Sequence, residues 1–202
     1  TNTASGTPTV KGIIPTASGA VDDTALGSIF PGSGERNVHS ICKYDGRLFA
    51  GFGMVTSGAF AHVYELTLTA SGAWTMTSSL TGAGGTGAVC NRFVSLAEYK
   101  SKLYASYFNP ITASGTSVIY QYDGTTWTGV FTSSGASQRV PYFLVVDKDT
   151  LYGIGITEDN AAGGNFKFLI TSDGTTWTDK TSIATSGANT LSLPLLFGFE
   201  QS

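Results

Sequence analysis

Three of the few arginines in this chain stand at matched places: Arg36, Arg92 and Arg139 precede the leucines Leu48, Leu103 and Leu151 by 12, 11 and 12 residues. A guanidinium is planar and permanently charged, and its forked donors fit a carboxylate in bidentate fashion. Three of them brought to one mouth would make an anion-binding site. The competing reading is that arginine is simply tolerated where a strand enters from solvent. The shorter spacing at Arg92 matters, because a one-residue slip turns a strand residue to the opposite face.

The other reactive residue types are scattered. Glu35, Asp45, Glu65, Glu98, Asp147, Asp149, Glu158 and Asp159 fall mostly in turn-like stretches or beside lysine, and none forms a pair spaced as general acid and base. His39 and His62 lie in or next to strand-like runs with no Ser/Asp motif nearby, so a triad has no support. Asp147-Lys148-Asp149 lacks the oxygen ligands of a calcium loop. Cys42 and Cys90 have no CxxC spacing; they read as buried thiols or as a single bridge between repeats. No catalytic residue, metal or cofactor is expected. A second candidate surface is aromatic: Phe52, and the run Tyr107, Phe108 and Asn109, lead into loops that differ most between copies. Exposed rings with amide and hydroxyl groups suit the apolar faces and hydroxyls of a sugar. Burial in the core would account for the same rings.

The elements that must position these residues repeat. Trp74, Trp127 and Trp177 lie 53 and 50 residues apart, and 123–128 and 173–178 both read Asp-Gly-Thr-Thr-Trp-Thr. A strand, a tight Asp-Gly turn and a strand opening on tryptophan make a hairpin. A second hairpin lies upstream of each, with Leu48, Leu103 and Leu151 each seven residues after an apolar partner, Ile41, Leu96 and Leu144. Two hairpins give four antiparallel strands in about 50 residues, the unit of a β-propeller blade. The blades are expected at about 36–80, 91–131 and 139–180, within one domain over 1–202. A divergent part-blade occupies 7–30, with Val21 where tryptophan belongs, and 191–200 supplies a closing strand. The fold expectation is therefore all-β, a propeller of about four blades, or a larger ring completed by oligomerisation.

The Asp-Gly-Thr-Thr-Trp motif resembles the repeat of bacterial and viral β-propellers, kelch-like arrays and the Asp-box of sialidase-like propellers, Ser/Thr-x-Asp-x-Gly-x-x-Trp. It departs from that box by lacking the residue between Asp173 and Gly174, and Tyr122 stands before Asp123. The resemblance implies that Asp123 and Asp173 cap turns and that Trp74, Trp127 and Trp177 pack between strands. It also implies a runner-up activity, a sialidase-like glycoside hydrolase with an arginine cluster around a tyrosine and a carboxylate. The Thr-Ala-Ser-Gly turns and hydroxyl-rich loops are similar in composition to phage tail fibres, decoration proteins and lectin-type adhesins.

Charged residues make up only 12% of the chain and the net charge is −3. No basic face exists to neutralise phosphates, which argues against nucleic acid, and no apolar run is long enough to insert in a membrane as a helix. The chain begins at Thr1 rather than Met, which suits a processed, secreted or incompletely covered product alike. The expected function is non-enzymatic: an extracellular or virion-surface structural or adhesion protein. Its partners would be a glycan or cell surface, further copies of itself, or virion proteins. The alternatives are the glycosidase and a purely structural subunit of a capsid, tail or filament.

Overall fold

The computed structural model describes residues 35–54, 60–70, 74–82, 91–109, 116–134, 140–156 and 166–181. The expected part-blade at 7–30, the closing strand at 191–200, Arg139 and Cys90 lie outside them. Every element among the described residues is a strand. The first unit holds β1 (Glu35–Tyr44), β2 (Arg47–Met54), β3 (His62–Leu68) and β4 (Trp74–Thr81). The second holds β5 (Arg92–Tyr99), β6 (Lys102–Asn109), β7 (Thr116–Tyr122) and β8 (Trp127–Ser134). The third holds β9 (Phe143–Asp147), β10 (Thr150–Ile156), β11 (Phe166–Thr171) and β12 (Thr178–Asp179).

Each unit is an antiparallel meander in which every strand pairs with the next. Units one and two do not stay separate. The single pair Gly53↔Arg92 joins β2 to β5, and the eight strands run as one curled antiparallel half-barrel. Gly51 permits this approach: a Cβ there would lie 3.1 Å from the Phe93 carbonyl oxygen. The turns between first and second strands are two residues long. Asp45-Gly46 and Lys100-Ser101 both take positive φ, the I′ geometry that matches strand twist.

The core lies between the units. Tyr44, Phe49 and Val63 from the first meet Phe93, Leu96, Leu103 and Tyr122 from the second. Tyr99, Tyr104 and Ile119 from the second meet Tyr142, Leu144, Leu151 and Leu169 from the third. The middle unit is covered on both faces, so β6 is buried from Leu103 to Asn109 without alternation. In the third unit β10 alternates, with Leu151, Gly153 and Gly155 buried between partly exposed neighbours.

Polar contacts at the two junctions repeat in register. The Ser40 hydroxyl accepts the Leu96 N–H at 2.9 Å, and Ser95 accepts Leu144 N–H at 3.1 Å. The Tyr44 hydroxyl donates to the Ser101 carbonyl at 3.1 Å, and Tyr99 donates to that of Asp149 at 2.6 Å. Arg47 reaches the Gly124 carbonyl, and Gln121 that of Gly174. Each unit thus hooks the turn tips and first strand of the next.

The tryptophans span these junctions. Trp127 stacks on Tyr122 at 4.8 Å, and its indole N–H donates to Ser79 of the first unit at 2.9 Å. Trp177 of the third unit packs against Phe131 of the second at 6.1 Å. Both rings are partly buried. Trp127→Ala and Trp177→Ala should each cost about 3 kcal/mol, the lower end for an aromatic truncation, because part of each ring already meets water. Urea denaturation checks this, and near-neutral values at both positions would remove the tryptophans from the packing account.

Candidate functional site

Gly53 is flanked by Asn37 on β1 and by Arg92 on β5, which brings the backbones of Arg36 and Arg92 to one end of the curled sheet. Arg36 stands at a register shift of β1 between Glu35 and Asn37. The Arg92 guanidinium lies over the Phe108 ring at 5.0 Å. His39 sits beside it above Gly53, and desolvation together with the Arg92 charge lowers the His39 pKa. That end of the sheet therefore holds a cation on an aromatic ring next to an imidazole kept largely neutral at pH 7.

The loop-entry aromatics sit differently from an open sugar platform. Phe52, Tyr107 and Phe108 are 2%, 1% and 0% exposed, and Asn109 is buried as well. Phe52 meets Tyr64 edge-on, and Tyr107 packs on Phe93. Strands β2 and β6 run on to Met54 and Asn109, so these rings belong to paired strand rather than to the loops beyond. Their faces are engaged within the protein.

Asp123 and Asp173 hold their turns. Asp123 Oδ1 accepts the N–H groups of Thr125 and Thr126, each at 2.8 Å, and the Thr125 hydroxyl. Asp173 Oδ1 accepts the N–H groups of Thr175 and Thr176 and the Thr171 hydroxyl. Gly124 and Gly174 take φ of 105° and 81°, a region open to glycine. The loops are therefore four residues long at 123–126 and six at 172–177, each stapled by one carboxylate and longer than the tight turn that Asp-Gly suggests. Donors to the ionised form hold Asp123 down at about 2 and Asp173 lower still.

Other titratable groups are drawn into structure too. Arg47 pairs with Glu65 at 3.4 Å and lies over the Phe49 ring. The His62 ring contacts the hydroxyls of Ser78 and Thr81. Burial raises the Tyr104, Tyr107 and Tyr120 phenols, and pushes Tyr142 up to about 12. Cys42 is a free, half-buried thiol raised by the same cause. Among the described residues no cluster of His, Cys, Asp or Glu could hold a metal ion, and no helix is long and apolar enough to cross a membrane.

One surface escapes sequence reasoning. The fourth strand of each unit lies at a sheet edge and exposes hydroxyls: Thr75, Thr77 and Ser78 on β4, Thr128 and Thr132 on β8, Thr178 on β12. The signal is the Trp-Thr dipeptide that opens β4 and β8 and whose threonine opens β12, overshadowed by its tryptophan. No family model and no curated protein matches the sequence.

The turn carboxylates predict a pH dependence. Their folded pKa lies below the unfolded value near 3.8, so the stability they contribute is whole above about pH 4 and is lost as pH falls toward 2. Asp123→Asn with Asp173→Asn keeps the acceptor oxygen and removes the titration. Thermal melts from pH 5 to 2 should show a flatter decline in the double variant than in the parent. Parallel declines would detach the turns from acid stability.

Proposed function

We propose that the chain is a non-enzymatic structural or adhesion protein of an extracellular or virion surface, its four-stranded units serving as blades of a propeller, with glycan as the ligand class. The observation that carries this reading is the set of exposed hydroxyls on the three edge strands β4, β8 and β12. A neutral surface of hydroxyls exchanges hydrogen bonds with a sugar without desolvating charge, and many weak contacts along repeated blades add by avidity. The repeated junctions support it from inside: a stack of like units presents like edges at regular intervals. The resemblance of the Asp-Gly-Thr-Thr-Trp turns to propeller repeats and the low charge of the chain point the same way.

A sialidase-like hydrolase is the second reading, favoured by the approach of the Arg36 and Arg92 backbones about Gly53. The two readings separate in one experiment. The labelled chain on a glycan array should bind, and Thr128→Val with Thr132→Val should weaken that binding about tenfold or more, the loss of one or two hydrogen bonds. Release of fluorophore from a sialoside should stay at the blank. An empty array would end the adhesion reading. Hydrolysis abolished by Arg92→Ala would install the hydrolase.

A further inference from the structure

The rear face of the third unit is apolar and partly open. Phe143 pairs with Ile154, Val145 with Tyr152, and these with Phe168 and Ile170 across β9, β10 and β11. Tyr152 stacks on Phe168 at 5.6 Å, yet Phe143 is 56% exposed. Corresponding faces of the other units are sealed by their successors. Phe49 and Tyr104, which follow Leu48 and Leu103 as Tyr152 follows Leu151, are fully buried.

The structure points to one occupant: we propose that residues 191–199 of the same chain dock on this face as the first strand of a fourth unit. Three observations converge on that segment. The crossings 82–91 and 135–142 carry the chain from an outer strand to the first strand of the next unit, and 180–190 is a stretch of the same length class after β12. The segment beyond it, Leu191-Ser192-Leu193-Pro194-Leu195-Leu196-Phe197-Gly198-Phe199, is among the most apolar stretches of the chain. Its registration explains a double departure from the repeat. At both existing junctions a serine hydroxyl receives the N–H of the facing leucine. In the third unit the serine position is Phe143, and Pro194 follows Trp177 by 17 residues as Leu144 follows Trp127. Proline has no N–H to satisfy, so a ring without a hydroxyl faces a residue without a donor, and no buried N–H is orphaned.

A second copy stacking its first unit on this face fits less well. It would present the Ile41 N–H to Phe143, whose side chain has no acceptor for it.

Cross-linking decides the matter, whether or not a glycan binds. In a chain carrying Cys42→Ser and Cys90→Ser, the pair Phe143→Cys and Pro194→Cys should oxidise within one molecule: a 21.0 kDa band without reductant and loss of thiol labelling at both positions. A disulfide-linked dimer would overturn the proposal in favour of a second copy. Freely labelled thiols in a chain with the parental circular dichroism would overturn it outright. Should the quadruple variant not fold, hydrogen exchange on the unaltered chain reads the same point. Amides of 195–199 should exchange about 100-fold slower than in a free peptide, independent of protein concentration. Exchange at the free-peptide rate, or slowing lost on dilution, overturns it.

Discussion

A four-stranded antiparallel sheet has two faces, and its own side chains cover neither. The arrangement of this chain follows from that constraint. The middle unit meets it by lying between two others, which is why Leu103 through Asn109 are buried in succession where a sheet with one wet face would alternate. The low charge belongs to the same solution. Interfaces that recur twice within 202 residues leave little surface on which charges stay solvated. The junctions are joined mostly by neutral groups, tyrosine and serine hydroxyls and a glutamine amide against backbone, with Arg47 on the Gly124 carbonyl and Lys100 on that of Ser172 as charged donors. A buried charge would have to be paired to be tolerated there. The ion pairs that occur, such as Arg47–Asp45 at 3.9 Å, are partly exposed and add little.

The sequence period was legible because its carriers are large. Tryptophans and leucine-aromatic pairs recur where a sheet face must be filled, and their spacing led to an all-β fold of four-stranded antiparallel units. The hooks were not legible, though Ser40 and Ser95, and Tyr44 and Tyr99, are as regularly spaced. A serine or tyrosine in a strand means nothing until the register shows that it faces an N–H or a turn carbonyl. Phe52, Tyr107 and Phe108 stand near strand ends, which are hard to place from sequence. The strands continue to Met54 and Asn109 and take those rings inward. The half-barrel join at Gly53↔Arg92 had no sequence signal beyond glycine itself.

The perturbed groups show where the polar chemistry went. A general base or a nucleophile works best with a pKa near the operating pH. Donors pull Asp123 and Asp173 down, and burial drives Tyr104, Tyr107 and Tyr142 up. Both movements lead away from neutrality. They are what turn staples and core phenols require, and they leave the exposed hydroxyls as the groups available to a partner.

What those edges can accept is narrowed by their shape. An exposed strand invites another strand to pair with it, and β4 and β8 would offer two such templates. Both are interrupted at corresponding places: the register of β4 slips between Val63 and Tyr64 of its partner, and that of β8 between Ile119 and Tyr120. The extra residues, Ser79 and Val130, bend each edge and increase its twist, and the first of them turns a hydroxyl inward to receive Trp127. β12 meets the problem differently, being only two residues long. A bent edge is a poor template for an added strand, while outward hydroxyls such as those of Thr77, Thr128 and Thr132 stay exposed to donate and accept singly. Such an edge fits a ligand read one hydroxyl at a time, as a glycan is, and disfavours one that must lie flat along the backbone.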